Sequence, residues 1–66
     1  MAEPYYGSFD GLACRYTESE AWVLHTEQWV QLNSVSVNNA VSELTKAEFD
    51  ELFPDTPPLP PKAFSV

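Results

Sequence analysis

The chain has 66 residues, of which 44% are hydrophobic and 14% aromatic, and ten acidic side chains face three basic ones. A formal net charge of −7 repels phosphate backbones and anionic lipid, so we expect no direct binding to nucleic acid and none to membranes. The apolar fraction is too high for an acidic disordered tail. The composition therefore predicts a small folded acidic domain whose partner presents a basic surface.

Sixty-six residues make one domain, which buries only about 60% of the surface that its unfolded chain exposes. The single cysteine, Cys14, excludes an internal disulfide and indicates a reducing compartment. Cys14 and His25 cannot complete the four ligands of a structural zinc site, so no metal and no cofactor is expected. The aromatic rings would form the core, with homodimerisation or partner docking as a supplement.

The first residues have neither the basic region nor the apolar run of a signal peptide. No apolar segment approaches the roughly 18 residues that a membrane span needs. We therefore expect a cytoplasmic protein, located in the host cytoplasm if a phage encodes it.

Composition divides the chain into three zones. Residues 1–11 contain one proline and two glycines and are predicted to form an extended leader. Residues 12–53 form the single small α+β domain. Residues 54–66 hold five of the six prolines, which excludes a helix or a central strand and predicts an extended tail.

The first predicted strand covers residues 12–17, where apolar and polar side chains alternate and Leu12, Cys14 and Tyr16 share one face. Residues 21–26 and 29–33 are rich in β-branched and aromatic side chains, which favours a hairpin that turns at residues 27–28.

A helix over the hairpin segment is the alternative. Thr17 and Glu20 have the spacing of a capping box. The residues that recur at helical spacing are Trp22, His25, Trp29 and Leu32. Residues 34–37 are interpreted as a further short strand.

The best local signal is a helix over residues 46–53. Thr45 is a strong N-cap residue, and Glu48 completes a capping box with it. Phe49, Leu52 and Phe53 form an apolar stripe that should pack on the sheet. The predicted fold class is α+β, a small antiparallel β-meander of about three strands packed by one short C-terminal helix and followed by a Pro-rich extended tail.

Catalysis is not expected. A nucleophile would need Cys14 or a serine beside His25, the only histidine, and Cys14 lies on an apolar strand face where free cysteines fill core space. So short a chain also offers little concavity in which to shift the pKa of a carboxyl group. We therefore predict no catalytic residues.

The tail and the tryptophans allow two interpretations each. Residues 57–62 fit a polyproline ligand of SH3 domains, but a clasp in which Leu59 and Phe64 fold back onto the domain is favoured. Of Trp22 and Trp29, one is expected in the core and the other is left open between core and binding anchor.

The acidic side chains carry the functional hypothesis, because only Arg15, Lys46 and Lys62 are present to balance them. We expect a non-enzymatic inhibitor from a phage or other mobile element that occludes a basic, nucleic-acid-handling host protein, by DNA mimicry in its strongest form. The alternative is a structural or accessory subunit of a larger assembly, such as a virion, with its termini as arms. The residues expected to contact the partner are Glu18, Glu20, Glu27, Glu48, Asp50, Glu51, Asp55, Trp22 and Leu59.

Overall fold

A computed structural model describes residues 3–64, which form a five-stranded antiparallel sheet and two short helices. The fold is α+β, as predicted. The elements in chain order are β1 (Tyr5–Phe9), β2 (Leu12–Tyr16), β3 (Ala21–His25), β4 (Gln28–Leu32), α1 (Ser34–Ala40), β5 (Ser42–Leu44) and α2 (Lys46–Leu52). The strand order is β4-β3-β2-β1-β5, so β4 and β5 are the two edges.

Both hairpins close with two-residue turns in the left-handed conformation. Asp10 and Gly11 have φ values of 53° and 78°, and Thr26 and Glu27 have φ values of 52° and 64°. Two positive φ values in succession give the type I′ twist that matches the flanking strands. The predicted hairpin is confirmed and its helical alternative excluded, although the turn lies one residue earlier than expected. Both turns lie at the same end of the sheet.

Helix α1 covers one face of the sheet, here called the α1 face. Its N-cap is Asn33, whose side-chain oxygen accepts hydrogen bonds from the backbone N–H groups of Val35 and Ser36. Val37 is fully buried and packs in a cluster with Cys14, Tyr16, Ala21 and Val23. The short strand predicted over residues 34–37 is wrong, because the cap satisfies the first amides of a helix and burial of Val37 outweighs the β preference of valine.

Helix α2 covers the opposite face, here called the α2 face. It begins at Thr45, and the predicted capping box is confirmed: the Thr45 hydroxyl accepts from the Glu48 N–H, and the Glu48 carboxylate accepts from the Thr45 N–H. Phe49 is buried, and its ring lies 5.0 Å from that of Tyr6 and 5.4 Å from that of Phe53. Leu52 does not belong to this stripe, because it is 60% exposed.

The prediction of about three strands and one helix is corrected by three further elements, which are β1, α1 and β5. Tyr5–Phe9, expected in the leader, is β1, which pairs with both β2 and β5 inside the sheet. Gly7 makes this possible, because Ser42 and Val41 approach it so closely that a Cβ atom would lie 2.8 Å from each. Residues 1–2 of the predicted leader and residues 65–66 of the predicted tail lie outside the described residues.

Candidate functional site

A groove of about 460 Å³ opens on the α2 face at the end of the sheet where both hairpin turns lie. We call it the Phe53 groove, and the residues that define it are Ala13, Leu24, Phe53, Glu27, Asp55 and Pro57. Ala13 and Leu24 share this face because the adjacent pair, Cys14 and Val23, faces α1. The small Ala13 side chain leaves space between Leu24 and Phe53.

Two carboxylates stand on the rim of the Phe53 groove. Glu27 is held there by the β3–β4 turn, and Asp55 by the segment that follows α2. Both side chains are exposed, and among the described residues that line the groove none is a lysine or an arginine. An apolar floor with two unbalanced carboxylates suits a ligand that combines an apolar stem with a cationic head, such as a lysine or arginine side chain.

The other predicted acids do not gather at this groove. Glu18 and Glu20 precede β3 whereas Glu27 follows it, and the five residues of β3 separate the two ends by roughly 17 Å. On α2, Glu48 caps its own helix and Asp50 lies 3.0 Å from the Lys46 ammonium, while Glu51 is exposed. The acids are therefore distributed over several surfaces, and the Phe53 groove combines two of them with an apolar floor.

Glu20 and Trp22 have roles inside the fold. Trp22 is only 4% exposed, and its indole Nε1 donates a hydrogen bond to the Glu20 carboxylate. The same Glu20 oxygen accepts a bond from the Phe64 backbone N–H at 2.6 Å, and the Lys62 ammonium lies 5.9 Å from the Trp22 ring centre. Trp22 is the tryptophan of the core, and we leave Glu20 and Trp22 out of the candidate site.

Leu59 is half-buried in the tail that crosses the α2 face. Trp29 is also half-buried, and its indole donates a hydrogen bond to the Pro57 carbonyl at 2.9 Å. The tail thus makes the contacts of a clasp, and they occupy the polyproline segment that an SH3 domain would have to bind.

The residues considered for catalysis occupy different environments. Cys14 is fully buried in the core, and burial raises the pKa of its thiol to about 11, which keeps it protonated and unreactive near neutral pH. His25 is exposed, and its Nδ1 lies 2.9 Å from the Thr26 hydroxyl. Within residues 3–64 no three histidine, cysteine or acidic side chains are grouped so that they could hold a metal ion.

Comparison of the chain with protein-family models, with curated proteins and with solved structures found no match. Neither helix of the described chain has the length and apolar character that crossing a membrane requires.

Sequence reasoning selected both rim acids but missed the floor of the groove, Ala13, Leu24 and Phe53. The missing information was the register of β2 against β3, which aligns Ala13 and Leu24 on one face. The alternation of residues 12–17 and the hairpin pattern each show which side chains share a face of one strand. Neither pattern shows which residue of β2 lies opposite which residue of β3.

Proposed function

We propose that the protein is a non-enzymatic acidic binding protein whose Phe53 groove receives a basic, partly apolar segment of a partner protein. The carboxylates of Glu27 and Asp55 attract the cationic group, and Leu24 and Phe53 contact its aliphatic stem. The observation that carries the proposal is this combination of an apolar floor and an uncompensated acidic rim in one concave surface.

The net charge of −7 supports a basic partner more broadly, since a field of one sign accelerates the encounter with a surface of the other sign. More specifically, we propose that a phage or mobile element encodes this protein as an inhibitor. It would cover the basic surface of a host protein that handles nucleic acid. A cytoplasmic location belongs to the same proposal, and the free thiol of Cys14 supports it.

A matched pair of double variants tests the groove. Glu27→Gln with Asp55→Asn removes the two rim charges, and Glu18→Gln with Glu51→Gln removes two exposed charges elsewhere, so that both chains keep the same net charge. The probe is a short peptide of alternating leucine and lysine, titrated into labelled protein and followed by NMR, with a leucine–glutamate peptide as its control.

We expect the lysine peptide to shift the amide signals around the Phe53 groove, with an affinity that falls as salt is added. The groove variant should lose this affinity, and the control variant should keep most of it. Equal losses in the two variants would mean that the interaction depends on overall charge and not on the groove. Salt-independent binding, or binding to duplex DNA, would contradict the proposed acidic recognition.

The accessory-subunit alternative is favoured by a different observation, which is the uncovered apolar part of the α1 face. Val30 and Leu32 of β4 are 41% and 37% exposed, and they adjoin the free edge of the sheet. A subunit that assembles through this edge would bury both side chains. Pairing of β4 with a strand of a neighbouring chain would support this alternative.

A further inference from the structure

The two edges of the sheet differ in how well they resist pairing with another strand. Strand β5 has three residues and carries Glu43, and short, charged edges discourage further pairing. Strand β4 has five residues, Gln28–Leu32, with no charged side chain and no proline. In a chain of net charge −7 this edge is an uncharged template for another strand, and the tail prolines Pro57 and Pro58 lie beside its first residues, Gln28 and Trp29.

The outward hydrogen-bonding groups of β4 belong to Trp29 and Gln31. The two-residue turn makes His25 and Gln28 a hydrogen-bonded pair, and hydrogen-bonded and non-hydrogen-bonded pairs alternate along an antiparallel ladder. The N–H and C=O groups of Trp29 and Gln31 therefore point away from β3. No backbone–backbone hydrogen bond from the loops and turns of residues 3–64 reaches them.

An apolar surface adjoins this edge on the α1 face. Helix α1 packs against β2 and leaves the outer part of the face open. There Val30 and Leu32 line a depression of about 270 Å³ together with Phe9, Leu12 and Val23, and Asp10 and His25 line its end near the turns. A strand added to β4 would place its own side chains beside Val30 and Leu32 at the edge of this depression and reduce their exposure to water.

We propose that the occupant of the β4 edge is a second copy of this chain, paired antiparallel with Val30 on the two-fold axis. This register aligns Trp29 with Gln31 of the second copy, so that the outward groups of both strands form hydrogen bonds on each side of the axis. The two Val30 side chains meet as a non-hydrogen-bonded pair, where side chains approach most closely. The two sheets become one continuous sheet of ten strands.

The distribution of charge favours a second copy over a basic partner at this edge. Helix α2, with its acids, packs against β1 and β5 on the far side of the sheet. The nearest acid along β4 is Glu27, and the register sets it opposite Asn33 of the second copy. No like charges therefore face each other across the seam, whereas a basic segment would find no carboxylate within β4 to pair with.

Sedimentation velocity of the full chain, over a range of protein and salt concentrations, tests the dimer. We expect a monomer–dimer equilibrium that shifts toward the dimer as salt is added, because two copies of charge −7 repel each other and salt screens that repulsion. This salt dependence is opposite in sign to that of the Phe53 groove, so the two proposals fail independently.

Val30→Lys sets two lysines against each other on the axis, and we expect it to raise the dissociation constant at least about tenfold, although it reduces the overall negative charge of each copy. The control is Leu52→Lys, which makes the same change at an exposed site on α2 and should leave the dimer intact. Gln31→Pro removes an outward N–H group and should also weaken the dimer, since proline is tolerated on a strand edge. Circular dichroism of each variant establishes that it folds.

A mixed sample of labelled and unlabelled chains provides the direct readout. In a non-hydrogen-bonded antiparallel pair the two α-protons face each other, so we expect an intermolecular contact between the α-protons of the two Val30 residues. A chain that stays monomeric at every concentration overturns the proposal. If Leu52→Lys dissociates the dimer, or if the Val30→Lys chain folds and still dimerises, the interface lies elsewhere. Either result also overturns the proposal.

Discussion

The indole Nε1 of Trp29 donates a hydrogen bond to the backbone carbonyl of Pro57 at 2.9 Å, which joins β4 to a segment 28 residues further along the chain. Together with the bond from the Phe64 N–H to Glu20, it holds the proline-rich tail against the α2 face. Prolines limit the freedom of the unfolded tail, so these few contacts suffice to keep it in place. The tail is therefore part of the folded domain.

Removal of the tail should lower stability. We expect truncation after Pro54 to reduce the free energy of unfolding, and Trp29→Phe to reduce it by about 1 kcal/mol in the full chain, the usual net contribution of one hydrogen bond. In the truncated chain Trp29→Phe should cost much less, because its partner Pro57 is gone. Urea denaturation of the four chains gives this double-mutant cycle. An equal cost in both backgrounds would show that the Trp29–Pro57 bond contributes nothing.

Two positions on α2 should respond very differently to alanine. Phe49 is 3% exposed and packs against Tyr6, so Phe49→Ala should cost roughly 3–5 kcal/mol, enough to unfold much of a domain this small. Leu52 is 60% exposed, and Leu52→Ala should change stability by less than about 0.5 kcal/mol. Thermal melts compare the two, and similar losses would mean that α2 packs through a different face.

Gly7 should not tolerate a side chain. In Gly7→Ala the new Cβ would lie 2.8 Å from the Ser42 carbonyl oxygen and 2.8 Å from a Val41 methyl group, and such overpacking costs about 1–3 kcal/mol. The pairing of β1 with β5 should loosen first, which amide hydrogen exchange at residues 42–44 would detect. Adding Val41→Ala to the same chain should restore part of the stability. If it restores none, the clashes with the Ser42 carbonyl oxygen and with the Tyr16 ring, which would lie 2.9 Å from the new Cβ, dominate.

The buried thiol makes stability depend on alkaline pH. Burial raises the pKa of Cys14 from 9.0 to about 11 in the folded protein, so the unfolded chain releases this proton at a lower pH than the folded one. Stability should hold below pH 9 and then fall as pH rises toward about 11, by at most about 1.4 kcal/mol per pH unit. Burial also raises the pKa of the Tyr16 phenol, with Glu43 as a second cause, which adds a decline of the same sign.

Urea denaturation at a series of pH values measures this slope, and Cys14→Ala serves as the control. The variant is less stable at every pH because it loses buried volume, but its decline between pH 9 and about 11 should be shallower than that of the parent. Parallel curves would show that Cys14 does not titrate differently in the two states.

The sequence predicted the elements whose signals are local. The Thr45 cap with Glu48 located α2 to within one residue, and the two β-rich runs identified the second hairpin. Strand β1 escaped prediction because Gly7 resembles a turn residue, whereas its absent side chain actually admits Val41 and Ser42. Such an approach between distant segments has no local signature.

Tertiary packing also decided the elements that the sequence misassigned. The valines of residues 34–37 favour a strand, but Asn33 caps a helix there and Val37 fills the core beneath it. For the Phe53 groove, Glu27 and Asp55 were recognisable as unbalanced acids. The floor beneath them depends on a strand register and on where the chain turns after α2, and a single sequence does not specify either.

If Glu27 binds the partner as proposed, the β3–β4 turn is a compromise between stability and recognition. Thr26 and Glu27 both adopt positive φ, a conformation that glycine or asparagine enters at lower energy, and it costs ordinary residues on the order of 1 kcal/mol each. Glycine at position 27 would relax the backbone but would delete a rim carboxylate of the groove. The protein keeps an acid where its own fold would favour glycine, so the strain in this turn is expected to persist as long as the carboxylate is used.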